Sequence, residues 1–452
     1  MTQPTMEDIV SLSKRRGFVF QSSEIYGGLS GFYDYGPLGI ELSNNLKSLW
    51  WDALVHARDD IFGIDGAIIQ NPLLWQASGH IAGFTDPMVE DTLTHKRYRA
   101  DQLAGVDTTD LAELSKLLAD KRSPDGNPLS EPRYFNMMMQ TWVGPVQEEA
   151  AKVYLRPETA GSIYTNFLNV KDTMRAKLPF GIAQIGKAFR NEISPRDFIF
   201  RVRELEQMEM QYFINPKAQD EVYKQWRDFA WDFLTKTLGI KETNLSWHEH
   251  GETERAHYAK AAHDIYFKFP HGNKELWGTH NRSDFDLSSH SKASGKDLSY
   301  LDEASGERFV PYVIESSVGV GRMILAVMCD AYTRDKVAGE ERIVLRFHPK
   351  VAPVKAAVSP LLKNKPELVG FARKLYEQLK GEFGMVLWDD NGNIGKRYRR
   401  QDEIGTPYCI TVDFESLDNQ SVTLRDRDTA TQTRVGADKL VQSLRDALEK
   451  AK

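Results

Sequence analysis

Cysteine is scarce: 452 residues contain two, Cys329 and Cys409. Two thiols cannot build a disulfide framework or, by themselves, a zinc site, and their rarity fits a reducing compartment. Long apolar runs are lacking as well. Glu7 and Asp8 come early, and no apolar core follows Lys14, Arg15 and Arg16, so neither a leader peptide nor a membrane span is expected. There is no basic excess, since the formal net charge is -6. Any nucleic acid must then be met by local basic patches rather than by global attraction. Internal repeats and low-complexity tracts are missing. What is present suits a soluble, cytoplasmic, globular protein: nine Trp, 22 Phe and 17 Tyr are ample for a packed core, and the length predicts two or three domains.

The stretch Ala188 to Gln211, AFRNEISPRDFIFRVRELEQMEMQ, organises the rest. The runs IAQIGKAFRNE and FRVRELEQMEMQYFI alternate as strands do, and Ser194, Pro195, Arg196 and Asp197 between them form turns. An antiparallel hairpin follows, with Arg190, Glu192 and Arg201 on one solvated face and Phe189 and Phe200 packed elsewhere. Arginine forks suit phosphate oxygens, and carboxylates beside them suit an amine or a magnesium ion. A charged outer face of an ordinary hairpin accounts for the same pattern.

Taken in order, residues 1–20 predict a polar helix ending near Gly17. GGLSGFYDYGPLG predicts a tight loop. Ile40, Leu42, Leu46, Leu49, Trp50 and Leu54 predict an amphipathic helix from Ile40 to about Ala57. IFGIDGAIIQNP predicts a strand closed by Pro72. Residues 88–150 read as a polar insertion, with a helix in TTDLAELSKLLADKR capped by Thr108 or Thr109. Residues 240–310 read as a second insertion. Its His248, His250, His257 and His263 show no clean ligand pair beside a third ligand. In PYVIESSVGVGRMILAVM a strand meets Gly319 and Gly321, and Arg322 opens an apolar helix, where a cation is awkward unless an anion or a π face receives it. Beyond VAGEERIVLRFHP strands and helices alternate, predicting a compact α/β domain.

FRNE, a loop and a charged strand resemble motif 2 of the class II aminoacyl-tRNA synthetases. The longer FRNEISPRDFIFRVRE resembles the dimeric glycyl-tRNA synthetases in particular. The long helix, strand and proline resemble motif 1, which builds a dimer interface, and PYVIESSVGVGRM resembles motif 3. YDYGPLG, SGHIAGFTDP, YLRPETAGSIYTNF and KELWGTHNRSDFDLSSH are similar to further segments of that family, and NIGKRYRRQDEIGTPYCITVDF is similar to its anticodon-binding domain. The resemblance implies an α+β fold: an antiparallel class II catalytic domain over 1–340, carrying both insertions, and a C-terminal α/β anticodon-binding domain over 341–452. It implies a homodimer, off the membrane, that activates glycine with ATP and Mg2+ and passes it to the 3' end of tRNA(Gly).

By the same resemblance Arg190 and Arg322 are the catalytic pair. ATP is to meet Arg190, Asn191, Glu192, Phe200, Arg201, Val202, Arg203, Glu204, Leu205, Glu275, Leu276, Gly319, Val320, Gly321 and Arg322, with Glu275 holding the magnesium. Glycine is to meet Arg99, Glu158, Leu205, Glu206, Gln207, Met208, Glu209, Glu315, Ser316, Ser317, Val318 and Gly319. Lys396, Arg397, Arg399 and Arg400 form a basic cluster for tRNA phosphates. Three departures stand out. Leu205 replaces a phenylalanine whose face stacks on adenine, Gly161 replaces a glutamine, and THKRYRADQL lacks the cysteines found near it in many members, so no zinc is expected. The rival is a synthetase-like paralogue without catalysis, acting as a nucleic-acid-binding or regulatory subunit.

Overall fold

A computed structural model describes residues 3–106, 108–251, 260–337 and 339–450. Its centre is a seven-stranded sheet built from β1 (Ile61–Ile64), β2 (Phe180–Phe189), β3 (Glu204–Ile214), β4 (Leu245–Glu249), β5 (Ala261–Phe269), β6 (Gly272–Ser283) and β7 (Tyr312–Gly319). The spatial order is β4-β5-β6-β7-β3-β2-β1. Every neighbouring pair is antiparallel except β1 with β2. Residues 245–283 were expected in an insertion; they supply three of these strands. Part of their polar character comes from His280 and Arg282, which face a cavity.

Strand periodicity divides β3 cleanly. Met208, Met210 and Tyr212 are buried in the main apolar core, while Gln207, Glu209 and Gln211 occupy the opposite face. That core is closed by α1 (Pro37–Trp51), α2 (Gln219–Asp232) and α3 (Val320–Ala331). In α1, Leu38, Leu42, Leu46 and Trp50 recur every four residues and are all buried, as helical spacing requires. Pro37 fits the first turn, where its missing N–H costs nothing. The helix therefore starts earlier than expected, and Ile40 points outward, 40% exposed. The first helix, Met6–Arg16, ends at Gly17 in a left-handed conformation.

Two local expectations change. β1 stops at Ile64, and Pro72 opens a short helix, Pro72–Ala77, whose N-terminus is capped by the Asn71 side chain. The insertion helix Leu111–Leu118 is capped by Asp110, which accepts from the Ala112 and Glu113 amides, rather than by Thr108 or Thr109. A carboxylate accepts two such bonds more readily than a hydroxyl.

A second sheet begins at Ala356: β8 (Ala356–Pro360), β9 (Val386–Trp388), β10 (Tyr408–Val412), β11 (Ser421–Asp426) and β12 (Gln432–Gly436). Its order is β9-β8-β10-β11-β12, with β8 parallel to β9 and β10. Helices α4 (Pro366–Phe383), α5 (Ile394–Ile404) and α6 (Leu440–Lys450) complete it, around a separate core that includes Val358, Leu375, Ile410 and Leu444. Among the described residues no helix is long and apolar enough to cross a membrane.

Candidate active site

Register places the chemistry. Glu209 on β3 lies across from Gln184 on β2 and Ser317 on β7. One step along, Gln211 faces Glu315, and Glu315 faces His280 on β6. Because alternate residues share a face, Gln207, Glu209, Gln211, Glu315, Ser317, His280 and Arg282 line one concave sheet surface. Above it is a cavity of about 230 Å3. Glu158, just ahead of the helix Ala160–Thr165, reaches the same cavity, as do Arg190, Arg201 and Arg322.

At one end the groups suit a nucleotide. Arg190 leaves the end of β2 and is anchored by donating from Nε to the Pro157 carbonyl at 3.0 Å, with its guanidinium 5.6 Å from the Phe84 ring centroid. Glu192 is buried, and its Oε2 is 3.8 Å from Arg201 Nη1. Both of those atoms are buried without a hydrogen-bond partner among the described residues. Orphaned buried polar atoms are costly, so they point to a polar ligand. Arg322, in the first turn of α3, stands over Phe200 and pairs with Glu275. Gly321 lets this corner close: a Cβ there would lie 3.0 Å from the Ile199 carbonyl oxygen and 3.1 Å from the Tyr35 hydroxyl.

At the other end three acids converge. Glu315 accepts from Arg282 Nη1 at 2.8 Å and Gln211 Nε2 at 3.0 Å, and His280 Nδ1 is 3.2 Å away. Burial pushes its carboxyl up, but Arg282 and His280 outweigh that and hold it well below the usual carboxylate range. Glu158 has His80 Nε2 at 3.4 Å. Burial opposes its ionisation too, yet the His80 charge and hydrogen bond hold it low. Glu209 differs. It meets the Thr159 hydroxyl and the Gln211 amide, and burial, with Glu315 and Glu158 close by, pushes its carboxyl well up.

Residues 141–331 match the family model of the tRNA synthetase class II core domain (G, H, P, S and T), and residues 355–447 match the anticodon-binding domain model. The chain is 48% identical to the glycine–tRNA ligase of Treponema denticola, over 99% of this chain and 98% of that one. It is 50% identical to that of Borreliella afzelii over 95% and 94%, and 49% identical to that of Streptomyces coelicolor over 97% and 98%. The chain belongs to the glycine–tRNA ligases. A class II synthetase of this family is a ligase that uses ATP.

Most of the side chains expected to form the site of a glycine–tRNA ligase line the cavity, including Phe200, Val202, Glu204, Leu205, Glu206, Leu276, Val318 and Gly319. Others lie elsewhere. Met208 and Val320 are buried in the main core behind the sheet. Ser316 also lies behind it and accepts from Trp277 Nε1. Arg203 braces the motif 2 loop, donating to the Glu192 and Ser30 carbonyls, each at 3.0 Å. The Asn191 amide donates to the Met137 carbonyl. Arg99 is held between Asp86 and Asp101, outside the cavity lining. Arg190 and Glu192 sit in a connection longer than a hairpin turn, since the strands end at Phe189 and resume at Glu204. The expected solvated face is instead a half-buried loop, and Phe200 lines the cavity.

His280, Arg282 and Thr159 were missed. The trace was there: His280 and Arg282 stand two apart in THNRS, a period-2 basic pair just after the apolar Leu276 and Trp277. Of the histidines weighed as ligands, His250 pairs with Asp264 and His263 meets the Tyr223 hydroxyl; His257 lies outside the described residues. In the C-terminal domain the basic cluster is not one patch. Arg397 is buried, donating to the Pro360, Asp390 and Gly392 carbonyls. Arg400 is paired bidentately with Asp389, and Arg399 with Glu340. Lys396 is exposed.

Proposed function

We propose that the cavity joins glycine to ATP as glycyl-adenylate and hands the glycyl group to tRNA(Gly). One observation carries this: Arg190, Arg322 and the three acids Glu158, Glu209 and Glu315 open into a single space. The glycine carboxylate attacks the α-phosphorus and pyrophosphate leaves. The 3'-terminal ribose hydroxyl of the tRNA then displaces AMP. No protein nucleophile is needed, so the residues position the reactants and stabilise charge. Arg190 binds the α-phosphate and the glycine carboxylate, Arg201 and Arg322 the outer phosphates, and Glu192 the adenine side. Glu158, Glu209, Glu315 and Ser317 grip the ammonium, and the packed sheet floor refuses a Cβ.

Glu275 is half-exposed and lies 3.1 Å from Arg322 Nη1, so a hard oxygen donor stands beside a phosphate-binding cation. That suits Mg2+, which prefers one or two carboxylates plus phosphate oxygens. Glu275 would hold the ion, which would supply neutralisation of phosphate charge. The working form is a cytoplasmic homodimer, with 1–340 as the catalytic domain and 341–452 meeting the anticodon. Exposed Ile68, Ile69 and Leu73, next to β1, are apolar surface that a second copy covers. Glycine-dependent exchange of pyrophosphate into ATP, followed by charging of purified tRNA(Gly), tests the reading. No exchange with glycine overturns it in favour of a non-catalytic paralogue.

A further inference from the structure

The three acids of the pocket are not equivalent. Glu315 has two cations against it, Arg282 and His280, and Glu158 has the His80 imidazole. Arg282 is shared with Asp286, which accepts from Nε at 2.7 Å and Nη2 at 2.9 Å. His280 is shared with Asp264, which also pairs with His250. The Arg282 charge still pulls Glu209 down, but less than burial and the two neighbouring acids push it up. Among the described residues, Glu209 is hydrogen bonded to neutral groups alone: the Thr159 hydroxyl and the Gln211 amide, which donates at 2.8 Å and also donates to Glu315. Arg156 feels the Glu209 carboxyl but spends its hydrogen bonds on the Lys187 and Gly66 carbonyls. Glu209 is 2% exposed, so water does not solvate a charge there.

An ionised carboxylate buried beside two others, with no cation of its own, is strongly disfavoured; one of the set keeps its proton. A threonine hydroxyl accepts a hydrogen bond from such an acid as readily as it donates one to a carboxylate. We propose that Glu209 is neutral in the empty pocket and that glycine displaces its proton, one proton passing to solvent for each ammonium bound. The step balances: a carboxylic acid and a glycine zwitterion give a carboxylate paired with an ammonium, plus a proton in water. The pocket then accepts a full positive charge without holding an unpaired negative one beforehand. Burial and the Glu315 and Glu158 charges, which push Glu209 up to about 8, agree with this. The inference rests on the cavity being the glycine site.

Calorimetry of the full-length protein with glycine, at pH 7 in phosphate and in Tris, tests it. The two buffers differ widely in ionisation enthalpy, so proton release appears as a difference in observed heat. Release of one proton per glycine is expected, with a glycine Kd that falls about tenfold between pH 6 and pH 7. Equal heats in both buffers, or a Kd unchanged over that range, overturn the proposal. His80 is the competing proton source, because an ammonium near Glu158 also repels an imidazolium. His80→Gln must therefore keep the release and Glu209→Gln must lose it; release abolished by His80→Gln overturns the assignment. If Glu209→Gln does not bind glycine measurably, the wild type and His80→Gln decide. Loss of glycine-dependent pyrophosphate exchange in the wild type would instead sink the site reading.

Discussion

The Arg322 guanidinium lies 4.3 Å from the centroid of the Phe200 ring. Phe200 is itself fixed edge-on by Phe269 and His271, at centroid separations of 5.1 Å and 4.7 Å. A flat cation and a flat ring, drawn from α3 and from the motif 2 loop, thus meet at the nucleotide end of the cavity. Leu205, where the family resemblance implies an aromatic ring, lines the same space.

Stacking therefore falls to Phe200. An aromatic or cation–π contact is worth about 0.5–2 kcal/mol. Phe200→Ala is expected to raise the ATP KM by up to about thirtyfold in pyrophosphate exchange, with the glycine KM unmoved. Leu205→Phe adds a second face and lowers the ATP KM. An unchanged or higher value in that variant would show that leucine costs the site nothing.

Where side-chain periodicity alone decides structure, the sequence was sufficient. β2, β3, the strands β8 to β11 and the helix α4 follow from alternation and helical spacing. What it could not supply was the environment of charge. Arg397 reads as part of a basic surface run, yet its guanidinium holds three carbonyls of neighbouring loops. Nothing local distinguishes that from a solvated arginine. β5 and β6 read as a polar insertion for the same reason: Asp264, His280 and Arg282 look hydrophilic in a window but are neutralised by one another and by Glu315. Asp110 displaced the threonines as a cap because boundaries depend on which oxygen reaches two amides at once.

Arg282 carries the largest stability consequence near the site. It is 4% exposed at its side chain and is bonded to both Asp286 and Glu315. Arg282→Met keeps the bulk, strands the buried Asp286 and leaves Glu315 with His280 as its one cation. Breaking a buried pair in this way costs about 3–5 kcal/mol. Urea unfolding followed by circular dichroism should show the midpoint fall with little change in slope. A midpoint within error of the wild type would mean that Asp286 is stable without Arg282 and that His280 suffices for Glu315.

His280 gives the fold a pH signature. Burial alone would lower its pKa, but hydrogen bonds to Asp264 and Glu315 lift it to about 10. A histidine raised in the folded state stabilises fully below its unfolded value of about 6.5. That contribution is lost as the pH climbs towards the folded value. Between those limits the stability difference between wild type and His280→Gln should shrink by about 1.4 kcal/mol per pH unit. Parallel stability curves for the two proteins from pH 7 to pH 9.5 would contradict the charged imidazole.

Asp402 ties the hairpin that follows α3 to the second sheet. It is fully buried on α5 and accepts from Arg342 Nη1 at 2.9 Å and from Arg425 Nη1 at 2.8 Å and Nη2 at 3.0 Å. Arg342 belongs to the strand Glu340–Leu345, is held by Asp335 across its hairpin, and donates to the Arg427 carbonyl. The hairpin after α3 is therefore clamped to the C-terminal domain through one carboxylate shared by two guanidiniums. Asp402→Asn preserves the shape and leaves both cations underpaired, at a cost of about 3–5 kcal/mol. The loss falls on the docking of the domain and not on the cavity, which lies on the far sheet. Pyrophosphate exchange should persist, the KM for tRNA should rise, and limited proteolysis should begin between residues 346 and 355. Exchange lost in step with charging would instead place Asp402 in the fold of the catalytic domain itself.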